Sequence, residues 1–225
     1  MPTVTRAQLL EPCWQGMRFN LRPALVLQVF ALAIVAGYFW SPQVRSVLDV
    51  VGALKLRYGY GYSAVATCVF GGLIPYLVLT LAGRIPREQR LAELAFYLLL
   101  WFWKGVEVDA LYRAQGIWFG EAADAGTIAI KTIVDQFGYV PLWAAPSQVL
   151  LFTWKDAGFT LMGMRAAFRR QSFLQRVLVV VFSTWVVWIP GVAIVYALPS
   201  ALQLPLFNLV LCFWCLLMSF ISRGT

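Results

Sequence analysis

Ionisable residues crowd into one stretch of an otherwise apolar chain. Lys104, Glu107, Asp109 and Arg113 follow a run of Leu, Phe and Trp, and Lys131, Asp135 and Gln136 open the next apolar run. Lys104 and Glu107 are three apart, while Asp109–Arg113 and Lys131–Asp135 are four apart. Side chains at those separations meet on one helix face, so each pair can neutralise itself locally. A lone charge at mid-bilayer costs about 2.5–3.5 kcal/mol on insertion scales. Such residues therefore face a bundle interior or a water-filled cavity. On a helical wheel Lys104, Glu107, Leu111, Gln115 and Trp118 share one face, with Asp109 and Arg113 nearly opposite. Both faces cannot point to lipid, so one lines an interior. Lys104, Glu107, Asp109, Lys131, Asp135 and Gln136 are the candidate pore or polar-cavity residues. A buried ion-pair network fits the same pattern. Arg113, Glu121 and Asp124 suit an interface, with long stems snorkelling outward.

Much other chemistry is excluded. Histidine is absent from the 225 residues, which removes Ser-His-Asp hydrolysis, His-ligated zinc and proximal-His haem. Cys212 and Cys215 form a CxxC inside an apolar run, where no nearby group would polarise a thiolate, so they read as packing. There is no metal cluster, no Ser-Lys dyad and no phosphate-binding glycine loop. No cofactor and no catalytic residue is assigned, and the chain is not expected to be an enzyme.

The elements that must position the charges are membrane helices. Hydrophobic residues make up 61% and charged residues 12%, and the mean hydropathy is +0.74. That leaves too few charges to cover a soluble surface. The expected fold is all-α, a polytopic membrane helix bundle in a single domain. Six transmembrane helices are expected near 23–40, 61–83, 91–112, 127–154, 177–197 and 201–221. Met1–Arg22 mixes charges with Leu, Trp and Phe and suits the membrane surface. In the segment 41–60, Val44, Val47, Leu48, Val51 and Leu54 recur at helical spacing between Arg45, Asp49, Lys55 and Arg57. That pattern predicts an additional amphipathic surface helix. Ser63, Thr67 and Gly71 recur every four residues in the second span, a small-residue stripe that permits close helix approach. Pro75, Pro141, Pro146 and Pro190 fall within spans and predict kinks, because each removes a backbone donor.

Basic residues set the orientation. With the N-terminus inside, twelve lie in inner segments: Arg6, Arg18, Arg22, Arg84, Arg87, Arg90, Lys155, Arg165, Arg169, Arg170, Arg176 and Arg223. Three, Arg45, Lys55 and Arg57, lie in the first outer segment. The bias predicts both termini inside. The net charge of +8 thus reads as topology rather than nucleic-acid binding. The expected partners are the lipid bilayer and small solutes or ions, and a homo-oligomer is compatible.

Three patches in the second half resemble the family of the twenty-two-kilodalton peroxisomal membrane protein and its mitochondrial inner-membrane relatives. Lys131-x-x-x-Asp135-Gln136-x-x-x-x-Pro141 is similar to its K…DQ…P signature. Trp185-x-x-Trp188 with Pro190, then Leu198-Pro199, resembles its W-x-x-W-P … V-P segment, with the proline displaced by one. Asn208 to Ser219, ending Trp214-x-x-x-x-Ser219, is similar to its closing W-N-x-Y-L-S. A fainter patch keeps Gly105 and Tyr112 of a G-P-x-x-H-x-W-Y motif, with Asp109 and Leu111 at its His and Trp positions. Gln203 and Cys215 depart from the family's basic residue and Asn. The likeness covers about residues 100–221 and describes a remote member. It implies a small multi-helix protein of a bacterial inner membrane or an organellar one, mitochondrial inner or peroxisomal. It also implies a weakly selective channel or a carrier of small metabolites, and no enzymatic activity.

Two functions are expected from these features. One is a channel or transporter for small polar or ionic solutes, in which Glu107, Asp109 and Asp135 set charge selectivity against Lys104 and Lys131. The other is a structural or partner-binding membrane protein. Its warrant is the ten Trp, the small-residue stripe and the amphipathic segment.

Overall fold

The computed structural model describes the backbone of residues 6–221 and the side chains of residues 11–217. Arg6, Ser219 and Arg223, used above, have side chains outside that range. The described chain is all-α, in two compact units. One comprises the start of the chain to Leu25 with Thr132–Pro190, and the other Val26–Lys131 with Gly191 onward.

Helix α1 runs unbroken over Arg6–Trp40. The segment before Arg22 therefore continues the first span instead of forming a separate surface element. Pro12 and Pro23 lie within it. Helix α2 (Pro42–Tyr58) starts at Ser41, whose hydroxyl accepts from the Val44 amide at 3.4 Å, with Pro42 in the first turn. Both features satisfy or remove the unpaired donors of a helix start. The chain reverses at Gly59, whose φ of +53° is a left-handed conformation that glycine adopts without penalty.

The second span is three pieces. Helix α3 (Tyr60–Thr67) widens into a π-helical stretch, Cys68–Leu73, and narrows again into α4 (Ile74–Leu81). Pro75 sits in the first turn of α4. A proline ring clashes with the carbonyl four residues back, and a wider turn just before it relieves that clash. A short 3₁₀ turn (Arg87–Gln89) precedes α5 (Arg90–Phe119), which is 30 residues long. Helix α6 (Ala125–Ile133) passes into a second π-helical stretch, Val134–Ala144, and then into α7 (Ala145–Asp156). Pro141 lies inside that stretch and Pro146 in the first turn after it. Three of the four expected kink prolines thus coincide with a change of helix type. Pro190 lies inside α9 (Phe173–Tyr196), which continues through it. Helix α8 (Leu161–Arg170) lies within the basic link between spans four and five, and α10 (Ser200–Ile221) ends the described chain.

Among the described residues four helices are long and apolar enough to cross a membrane: Glu11–Trp40, Tyr60–Leu81, Phe173–Tyr196 and Ser200–Leu217. They correspond to expected spans one, two, five and six. Spans three and four fall on α5 and on the α6–π–α7 run, which are long but carry the charges described above. Large apolar side chains stay exposed along α1 and α5, among them Val29, Leu32, Leu99, Phe102, Trp103 and Ile117. Such a surface suits lipid and not water.

In the first unit Ala145 and Val149 of α7 pack against Val177 and Val181 of α9, flanked by Val140, Phe168, Val180 and Trp185. In the second unit α5 packs on α3 and its π-helical continuation, and α10 packs on α2, α4 and α5.

Candidate functional site

Helix α5 buries Phe96, Leu100, Trp101, Lys104, Gly105, Val108, Asp109, Tyr112 and Gln115. At 100° per residue these cover an arc of about 220°, within which Lys104 and Asp109 stand about 140° apart. Both charged faces therefore reach the interior. The outward arc carries Phe102, Trp103, Ala110 and Ile117.

Small residues let α3 approach this face. Ser63 and Thr67 are fully buried. A Cβ at Gly105 would collide with the Ser63 carbonyl and lie 2.8 Å from Thr67, and one at Gly71 would lie 2.8 Å from Trp101 and from Leu211. The stripe read from the sequence is thus a packing seam. It also brings a hydroxyl to a carboxylate, since Ser63 Oγ donates to Asp109 Oδ2 at 2.7 Å.

Lys55 completes the site. It lies in the last turn of α2 and is buried, where the amphipathic pattern placed it on an outer surface. Gly52, one turn earlier, packs against Leu202 and Ala201 of α10, which turns Lys55 inward. Lys55 Nζ donates to both carboxylate oxygens of Asp109 at 2.8 Å. Arg113 Nε donates to Asp109 Oδ1 at 3.1 Å, as the spacing of four predicted. The Arg113 guanidinium is half exposed and stacks on Tyr60 at 4.6 Å. Asp109 thus accepts from three side chains, two of them cationic, and the cluster carries a net positive charge. A buried carboxylate with this many charge-assisted donors is held in one geometry.

The other candidates divide by position. Lys104 Nζ pairs with Glu107 Oε1 at 2.8 Å, as the spacing of three predicted, and Trp103 Nε1 donates to Glu107 Oε2 at 3.0 Å. Lys131 is buried in α6 and makes no ion pair among the described residues. Its ammonium lies 5.8 Å from the centre of the Tyr196 ring. Asp135 accepts from Gln136 Nε2 at 2.9 Å, and both residues are buried in the first unit. The Gln136 carbonyl accepts from Trp185 Nε1 at 2.9 Å, so two of the patches carrying the family resemblance meet. In the second unit Asn208, from a third patch, accepts from Thr67 Oγ1 at 2.8 Å.

Lys55, Ser63, Thr67, Gln115, Tyr196 and Asn208 were not among the sequence-derived site residues. The available signal was a basic residue just before Gly59 and a polar residue repeating on the buried arc of α5. Asp124 lies outside the spans and caps α6: it accepts from the Gly126 and Thr127 amides and the Thr127 hydroxyl. The Thr127 hydroxyl, then the Thr127 amide, hold its carboxyl below the usual range. No disulfide joins the four cysteines, and among the described residues no three His, Cys, Asp or Glu side chains cluster to hold a metal ion. An open cleft of about 370 Å³ lies by Phe39, Trp40, Arg45 and Asp49, and another of about 320 Å³ by Gln148, Phe152, Asp156 and Arg176.

No family model matches this chain, and no curated protein or solved structure does either.

Proposed function

We propose that this protein is a multi-pass integral membrane channel or transporter for small polar or ionic solutes. The observation that carries this reading is the buried cluster of Asp109 with Lys55, Ser63 and Arg113, one turn of α5 from the Lys104–Glu107 pair. Ionisable groups inside a membrane bundle are costly, and solute or proton pathways are a recurring reason for them. Helices that change type at Pro75, Pro141 and Pro146 add backbone irregularity, which at membrane depth sits where it lines a cavity or is covered by protein. In this reading α5 and the α6–π–α7 run are the third and fourth of six spans, with both termini inside. Membership of the peroxisomal and mitochondrial channel family rests on the four motif patches and is part of the same proposal. So is a bacterial inner or organellar host membrane. The bilayer and the transported solute are the partners, and no catalytic step is assigned.

A second reading has its own observation. The donors converging on Asp109 and the tight seats of Gly71 and Gly105 also describe a packed structural bundle. The experiment that separates the two is current recording from purified protein in a planar bilayer, paired with solute flux in proteoliposomes. Transport predicts conductance or uptake that changes in Glu107→Gln or Asp109→Asn. Folded protein that is silent in both assays overturns transport and leaves the structural role.

A further inference from the structure

We infer that Lys131, Gln115 and Tyr196 form a binding site for a small oxyanion bearing its own hydroxyl proton, such as a phosphate monoanion, bicarbonate or a hydroxycarboxylate. The inference deepens the transport reading, on which its biological role rests, by naming a substrate class.

Two buried polar groups meet at one aromatic ring with opposite needs. Lys131 is 3% exposed and has no hydrogen-bond acceptor among the described residues. Its ammonium lies over the Tyr196 face at 5.8 Å. A ring quadrupole attracts a cation but accepts no conventional hydrogen bond. An ammonium with no protein acceptor gains from an anion placed beside it. Glu121, exposed and accepting from Ser200 Oγ at 3.1 Å, makes no ion pair with Lys131 among the described residues.

Gln115 supplies the second need. It is fully buried, and its Nε2 donates to the Tyr196 hydroxyl at 2.9 Å. Its Oε1 is buried and receives no hydrogen bond. An amide oxygen in that position calls for a donor. The site thus lacks an acceptor at Lys131 and a donor at Gln115. A protonated oxyanion offers both on neighbouring oxygens. Chloride offers the acceptor alone, and a fully deprotonated oxyanion lacks the donor.

The test is equilibrium binding of radiolabelled inorganic phosphate to delipidated, detergent-solubilised full-length protein. Saturable binding of one phosphate per chain is expected. Affinity should fall at least tenfold in Lys131→Met and severalfold in Gln115→Leu, with Lys131→Arg retaining most of it. Bicarbonate should compete better than chloride. Circular dichroism and monodisperse elution establish that each variant is folded, and Gln115→Leu reads the site if Lys131→Met does not fold. No saturable binding to the parent protein, or equal binding in Gln115→Leu and any folded Lys131 variant, overturns the inference. Displacement by phosphatidylglycerol at lower concentration than bicarbonate assigns the site to lipid headgroups and also overturns it. Proteoliposome flux is scored separately. Lys131-dependent binding without flux removes the transport reading and leaves the site, whereas flux without such binding does the reverse.

Discussion

Lys55 Nζ sits 2.8 Å from both carboxylate oxygens of Asp109, although 54 positions of chain separate the two residues. The pair ties the last turn of α2 to the middle of α5, and neither side chain is more than 6% exposed. Removing Asp109 strands Lys55 as a buried charge, which costs about 3–5 kcal/mol, whereas removing Lys55 leaves Asp109 with Arg113 and Ser63 and costs less. Lys55→Met and Asp109→Leu should each lower the melting temperature in detergent, Asp109→Leu the more. The double variant should lose less than their sum, because contacting residues couple by about 0.5–3 kcal/mol. Additive losses in the cycle would show that the pair is not coupled.

The helix seam predicts opposite outcomes for two glycines. At Gly105 a methyl group would collide with the Ser63 carbonyl, a backbone atom that cannot swing away. Gly105→Ala should destabilise by about 1–3 kcal/mol through overpacking. At Gly61 nothing lies within 4 Å of an added Cβ. Gly61→Ala should be neutral or stabilising by up to about 1 kcal/mol, since alanine favours the helix. Thermal unfolding of both proteins in one detergent checks the contrast.

Glu107 pairs with Lys104 beside the α5 cluster. Glu107→Gln removes one negative charge from beside the Lys104 ammonium. If the proposed conduction occurs, the reversal potential in a salt gradient should shift toward anion preference. An unchanged potential in both Glu107→Gln and Asp109→Asn would remove these residues from the conduction path.

Asp124 predicts a local pH dependence. Its carboxylate accepts from the amides of Gly126 and Thr127 at 2.9 and 3.1 Å and from the Thr127 hydroxyl at 2.6 Å. The folded state therefore favours the ionised form and holds the group below its ordinary value. That contribution is fully present above the unfolded value, about 4, and is lost as pH falls through the lower folded one. Exchange of the Gly126 and Thr127 amides should accelerate over that acidic window beyond the intrinsic pH trend. Asp124→Ala should exchange fast throughout and abolish the extra dependence.

Local pattern accounts for what was legible in the residues alone. Among the six spans expected from apolar run length are the four described helices long and apolar enough to cross a bilayer, because span length follows directly from helix rise. The Lys104–Glu107 and Asp109–Arg113 pairs followed from spacing within one helix, which needs no knowledge of the fold. The Ser63–Thr67–Gly71 stripe announced a close approach, and three of the prolines announced changes in helix type. Tertiary structure alone decided what lay across each approach. Lys55 moved from an expected outer surface into the core because Gly52 seats α2 against Leu202, and no periodicity within α2 encodes that rotation. Lys131 lies over the ring of Tyr196, 65 positions away in the chain. Periodicity specifies which residues share a face, whereas the packing of helices distant in sequence specifies which faces meet. The charge network around Asp109 exists only at that second level.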